Sequence, residues 1–361
     1  FREFKPRPIH GVMVARERFE LPFFRSAYHE EFKRGFESTR ACPNANRFKF
    51  GLKYRVNDNN LEICAWESLV MSRTIKNWYD TRAEYEWTRL FQDGYHQLEY
   101  LVTMHFLEMY LPKQGLILDA GGGPGRYAIE LAKKGFEVVL LDLSPQCLEI
   151  ARREVRKAGV GDRVKEVVDG SVTDLSRFRD DLFDAVLCLG GPLSHLLKKS
   201  ERERAASELV RVANKKASLF ISVFNRYGFF RILLRSGENL TDSPHKEMFR
   251  EGIHRAHCPH PKAFRRTAGF TDAYFFLPNE VKELFENKGV QTITLATCEG
   301  LSSDLEEVTN MLYKDGKNWR QWLEILIQTC SDPSILGLGT HLLYVGQKIK
   351  GKSDNGTEIR F

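Results

Sequence analysis

The chain has 361 residues, 42% of them hydrophobic and 28% charged, with a formal net charge of +6. That is the make-up of a soluble globular protein with enough material for a buried core. No apolar run approaches the roughly 18 to 20 residues needed to span a bilayer. The charge is uneven: residues 1–70 hold 13 Lys+Arg against 9 Asp+Glu, leaving 41 against 39 for everything after. A nucleic-acid enzyme more usually carries its basic face on the working domain. The cysteines Cys42, Cys64, Cys147, Cys188, Cys258, Cys298 and Cys330 are odd in number, scattered and free of any CxxC pair. Such thiols suit a reducing cytoplasm, and the N-terminus shows no apolar signal-peptide core.

Residues 1–70 mix Phe, Arg, Pro and Asn without sustained periodicity, and read as an N-terminal extension, disordered or upstream of a native start at Met71. From Met71 the run MSRTIKNWYDTRAEYEWTRL is charged and helix-prone. Leu98, Leu101, Val102, His105, Phe106 and Met109 follow helical spacing up to the break at Pro112. Strands and helices then alternate. LILDA (116–120), EVVLLD (137–142), RVKEVV (163–168), FDAVLCL (183–189) and ASLFISVF (217–224) are strands. Between them, helices are expected over 126–135, 145–159 (Pro145 in its first turn) and 201–213. The strands are near-continuous Val/Ile/Leu runs, so both their faces are buried and the sheet is parallel: a doubly wound α/β fold.

Beyond it, residues 225–276 show no clean period and read as an inserted cap. A helix at 278–289, a strand at 290–298, a helix opened by a Ser303–Glu306 capping box, a helix at 318–329 and a strand at 340–348 follow. The segment 301–335 completes the cap or offers a dimer face. Residues 350–361 are a polar tail, leaving a working domain of 71–349.

The turn LDAGGGPGRY (118–127) sits between strand and helix, where nucleotide-like ligands bind. A P-loop would need Lys-Ser or Lys-Thr after the glycines, and there is none. A dinucleotide fold wants G-x-G-x-x-G, but counting from Gly121 and Gly123 the third place is Arg126. The glycines instead fall as G-x-G-x-G at 121, 123 and 125. Asp119 ends the first strand, and Asp142 ends the second, where α/β folds put a carboxylate on a ribose diol.

With these residues the chain resembles the class I S-adenosylmethionine-dependent methyltransferases, of the small-molecule type. DAGGGPGR is similar to their first motif, LLDLSPQCLEIAR to the second, DGSVTDL to the third, and FDAVLCLGGPLSHL to the stretch closing the fourth strand. The resemblance implies a mostly parallel seven-stranded Rossmann-like sheet and S-adenosyl-L-methionine as cofactor. It implies that Gly121 and Gly123 let the backbone pass the methionine moiety, with Gly125 also among the cofactor-binding residues, and that Asp119 serves the amino group through the turn. Asp142 would bind the ribose hydroxyls, Leu143 would cover an adenine face, and Leu189 would close the site from strand four. Ser171 stands where the family often has an adenine-binding Asp. Tyr79 stands where related enzymes bring an N-terminal aromatic over the cofactor.

The acceptor is expected outside the carboxyl ends of strands four and five, which makes His195 the candidate base or acceptor-orienting group. No [DN]PP[YF] motif and no Pro-Cys pair follows strand four, which favours a small-molecule acceptor over a nucleic acid. The alternatives are a nucleic-acid or protein methyltransferase using residues 1–70 as a basic arm, and a cofactor-binding protein without turnover. His254, His257, Cys258 and His260 form an HxxHCPH cluster, but no second half-site follows, so no metal is expected. A homo-oligomer is compatible with the sequence, and membrane insertion is not.

Overall fold

The computed structural model describes residues 60–236, 243–255 and 271–349. Helix α1 (Asn60–Arg89) runs unbroken through Met71 and is followed by α2 (Gly94–Tyr110). Apart from the start of α1, the expected N-terminal extension lies outside the described residues, as do the polar tail and three members of the histidine cluster, His257, Cys258 and His260. The α/β core follows as β1 (Leu116–Ala120), α3 (Arg126–Lys133), β2 (Glu137–Asp142), α4 (Pro145–Ala158), β3 (Val164–Asp169), β4 (Phe183–Cys188), α5 (Lys199–Val212) and β5 (Ala213–Phe224). Next come α6 (Arg226–Ser236), α7 (Ser243–Glu251), the short pair β6 (Ile253–His254) and β7 (Ala273–Tyr274), α8 (Pro278–Glu286), β8 (Val290–Thr297), α9 (Glu306–Lys314), α10 (Gly316–Thr329) and β9 (His341–Lys348).

The main sheet is seven-stranded in the order β3-β2-β1-β4-β5-β9-β8. The first five strands pair in parallel; β9 lies antiparallel to β5, and β8 antiparallel to β9. This is the doubly wound, Rossmann-like sheet expected, with an antiparallel edge. Successive residues of each central strand face opposite layers. Leu118, Leu141, Val186 and Leu219 pack toward α5 and α8, through Ala205, Leu209, Val281 and Phe285. Ile117, Leu140, Leu187 and Phe220 pack toward α2, α3 and α4, through Val102, Leu131, Leu148 and Ala151. Burial on both faces is why these strands lack alternation.

Two local expectations need adjustment. Strand β5 begins at Ala213, ahead of the expected 217, because Ala213 pairs with Phe183; residues 214–217 then form an irregularity before pairing resumes at Ser218 opposite Ala185. The Ser303–Glu306 pair does not cap α9: Leu305 occupies the N-cap, and the Ser303 hydroxyl donates to the Leu338 carbonyl at 2.7 Å. Among the described residues, no helix is long and apolar enough to cross a membrane.

Candidate active site

The carboxyl ends of β1, β2, β3 and β4 open onto one cavity of about 420 Å3. Cleft formation there follows from topology, since the chain leaves β1 toward β2 and leaves β4 toward the other edge.

Asp142 ends β2 and forms part of the cavity wall. Its two oxygens accept from the Gly123 and Ser144 N–H groups, each at 2.8 Å. The glycine turn is thereby tied to the second strand by the carboxylate that faces the cavity. Burial pushes the Asp142 carboxyl up to about 6, against the pull of those two N–H donors. Gly121 has φ +76, and a Cβ there would run into the Pro192 ring, so this turn and the loop after β4 can meet only at glycine. Gly125 also has a positive φ, caps α3, and lets that helix start against Leu140 and Ala151.

The candidate residues do not all reach the cavity. Tyr79, Gly121, Gly123, Asp142, Leu143, Ser171, Leu189 and His195 line it; Asp119 and Gly125 do not. Asp119 is fully buried beneath Gly122, and neither carboxylate oxygen has a hydrogen-bond partner. Burial, and then the nearby Asp142, push its carboxyl up to about 7.

His195 ends a short 3-10 turn, Pro192–His195, that follows β4. Phe224 N–H donates to Ser194 Oγ at 2.9 Å, and Arg202 donates to the Leu196 and Leu197 carbonyls at 2.7 Å each, holding the turn from both sides. The imidazole Nδ1 lies 3.3 Å from the Asp272 carbonyl, and Nε2 lies 2.7 Å from the Tyr79 hydroxyl. A carbonyl only accepts, so Nδ1 carries the hydrogen and Nε2 accepts the Tyr79 O–H. Burial holds the imidazole down at about 4, leaving it neutral near pH 7. Burial raises the Tyr79 phenol well above its usual value.

Helix α1 closes the cavity with a stripe at helical spacing, Ile75, Tyr79, Glu86 and Arg89. It is fastened at several points. Ser144 Oγ donates to Asp80 at 2.6 Å, and Gln146 N–H to the same oxygen at 3.3 Å. Arg126, the residue standing where a dinucleotide fold needs glycine, lies 3.4 Å over the Trp87 ring and donates to its carbonyl at 2.7 Å. Arg89 donates to Glu99 at 2.7 and 3.2 Å, and to Glu86 at 3.2 Å. Burial disfavours the charged form of Glu99, but Arg89 and then His341 outweigh it and hold this carboxyl at about 2.

The sequence reading missed Glu86, Arg89, Glu99 and Thr173 as cavity residues. The signal for the first two was the spacing from Tyr79 on one face of a helix read only as a charged run. Glu99 and Thr173 carried no comparable pattern. Of the histidine cluster, His254 is described and buried, away from the cavity lining.

Residues 117–216 match a family profile described as "Methyltransferase domain". A glycine/sarcosine N-methyltransferase of Parasynechococcus marenigrum is 33% identical over 105 residues, covering 29% of this chain and 36% of that protein. A ubiquinone biosynthesis O-methyltransferase of Xanthomonas axonopodis pv. citri is 27% identical over 208 residues, covering 57% and 70%. Among solved structures, a SAM-dependent methyltransferase of Methanosarcina mazei aligns with TM-score 0.47 and 20% identity, covering 68% of this chain and 98% of its own. The chain spans 36% to 47% of the length of the first curated relatives it matches.

Proposed function

Because the chain carries a class I methyltransferase domain, we propose that it transfers a methyl group from S-adenosyl-L-methionine to a small-molecule acceptor in the cytoplasm. The observation that carries this reading is Asp142: a carboxylate held by the N–H groups of Gly123 and Ser144 while still facing the cavity. Held in this way, it has lone pairs left for two vicinal hydroxyls, so the residues present fit a ribose. Gly121 and Gly123 would pass the methionine moiety, Leu143 would cover the purine, and Leu189 would close the β4 side. Asp119 acts at a distance, through the turn, as a buried carboxyl that a cationic ligand above it would draw toward its ionised form.

The bound cofactor supplies an electrophilic methyl on a sulfonium, and an in-line displacement then requires orientation and exclusion of water. The chain's own residues provide both. Helix α1 covers the cavity, and the Tyr79–His195 pair sits at the β4 end, where an acceptor would enter. The Tyr79 O–H donates to the neutral His195 Nε2, which fixes the phenolic oxygen at the acceptor end of the cavity. The lone pairs left on the phenolic oxygen accept a hydrogen bond from an N–H or O–H acceptor and aim its nucleophilic atom at the methyl. Relatives named for glycine/sarcosine N-methylation and ubiquinone-biosynthesis O-methylation support a small acceptor of either kind. The test is a panel of small amines and hydroxy compounds incubated with S-adenosyl-L-methionine, scored by S-adenosylhomocysteine formation. Turnover with tRNA or protein and with none of the panel would contradict the small-acceptor assignment.

A further inference from the structure

We infer that His341 is a positioning residue for the cover of this site: it stands between two buried carboxylates, Glu299 and Glu99, and keeps Glu99 committed to Arg89 at the end of α1. This rests on the cofactor reading above and adds what holds the covering helix in place. His341 opens β9 opposite Phe224, the last residue of β5. Because β9 runs antiparallel, its first residue arrives at the carboxyl ends of the parallel strands, where the cavity lies.

The imidazole Nδ1 lies 2.5 Å from Glu299 Oε1 and 3.9 Å from Glu99 Oε2. Glu299 also accepts the Thr340 hydroxyl at 2.8 Å and the His341 N–H at 3.1 Å. Glu99, which lines the cavity, takes both its close bonds from Arg89. Arg89, Glu99, His341 and Glu299 thus form a row of alternating charge from the last residue of α1 to the loop after β8. The His341 ring also meets Phe224 with centroids 5.7 Å apart, and Phe224 meets His195 at 5.5 Å. One side chain therefore braces the helix that carries Tyr79 and, through Phe224, the ring that Tyr79 binds.

Buried charges are stable only when each has a partner. With His341 protonated, the row holds two cations and two anions. With His341 neutral, Arg89 alone faces Glu99 and Glu299, and it already donates to Glu86. Glu299 keeps the Thr340 hydroxyl and the His341 N–H, so the Arg89–Glu99 contact is the one that loosens. Burial disfavours the charged imidazole, but Glu99 and Glu299 outweigh both burial and Arg89 and raise its titration above the usual value. Of the other groups packed here, burial keeps the Cys298 thiol and the Tyr127 and Tyr95 hydroxyls protonated, and His96 faces Glu99 from α2. The cover is held tightest with His341 charged and loosens as pH rises through that raised value.

The test is the dissociation rate of S-adenosylhomocysteine, by stopped-flow displacement, in the native protein, His341→Gln and His341→Gln/Glu299→Gln. The single variant leaves two carboxylates to one arginine, and dissociation should quicken about tenfold. The double variant removes the surplus carboxylate, and the rate should return to within about threefold of native. The native rate should also climb between about pH 7 and 9, and the double variant's should not. A single variant as slow as native would overturn the inference. So would a double variant as fast as the single, which would reduce His341 to packing. If the single variant does not fold, the two pH profiles decide, and profiles of equal slope would overturn the inference. Failure of the native protein to bind S-adenosylhomocysteine at all would overturn the cofactor reading and this inference with it.

Discussion

Tyr79 Oη lies 2.7 Å from His195 Nε2, although 116 residues separate the two in the chain. One comes from the helix that covers the cavity and the other from the turn after β4, so closure of the site and assembly of its acceptor-orienting pair are one event. Tyr79→Phe keeps the ring and removes the orienting hydroxyl. Turnover should fall about a hundredfold, with S-adenosylhomocysteine affinity unchanged. Steady-state kinetics and calorimetry together check this. A loss confined to cofactor affinity would make Tyr79 a cover for the cofactor and nothing more.

Asp142 should set the acid limb of cofactor binding. Its carboxyl lies at about 6 before the ligand arrives, and only the ionised form accepts from both ribose hydroxyls. Affinity for S-adenosylhomocysteine should therefore fall as pH drops from about 7 to 5, by about tenfold. Asp142→Asn should bind weakly at every pH and lose that slope. His195 contributes nothing in this window, because it is already neutral above about 4.

Asp119 carries a stability signature of opposite use. Its folded value of about 7 lies above the ordinary 3.8, so the folded state holds a proton that the unfolded chain releases. The stability linked to that proton is present in full below the ordinary value and is lost as pH rises through about 7. Asp119→Asn should therefore raise the melting temperature by about 3 °C or more near pH 8, and by less near pH 4. An equal change at both would show that the buried carboxyl is not the titrating group.

Asp80 does not line the cavity, yet it ties α1 to Ser144 and Gln146 at the start of α4. Asp80→Ala should weaken S-adenosylhomocysteine binding by about fivefold, through faster dissociation. Stopped-flow displacement measures that rate directly. An unchanged rate would mean that the Arg126–Trp87 and Arg89–Glu99 contacts alone keep the helix closed.

The parts of the fold that were legible in the sequence are those buried on both sides. LILDA and EVVLLD coincide with β1 and β2 because unbroken apolar runs between turn residues have no other use. The start of β5 was not legible, since Asn214-Lys215-Lys216 has turn composition and interrupts the pairing between Ala213 and Ser218. In the site, the place of Gly121, Gly123 and Asp142 on the cavity wall was readable because it depends on sequence-local spacing. That Asp119 and Gly125 fall behind the cavity wall was not, because depth along a turn has no sequence period. The Tyr79–His195 bond was the least legible feature: each residue could be suspected alone, but their contact depends on how α1 lies across the sheet.

The central claim, that this cavity is built for S-adenosylmethionine, is tested most directly by calorimetric titration of the native protein with S-adenosyl-L-methionine, S-adenosylhomocysteine and NAD. The two sulfur compounds should bind and NAD should not, because Arg126 stands where a dinucleotide's helix approach needs glycine. Binding of NAD without response to the other two would contradict the account.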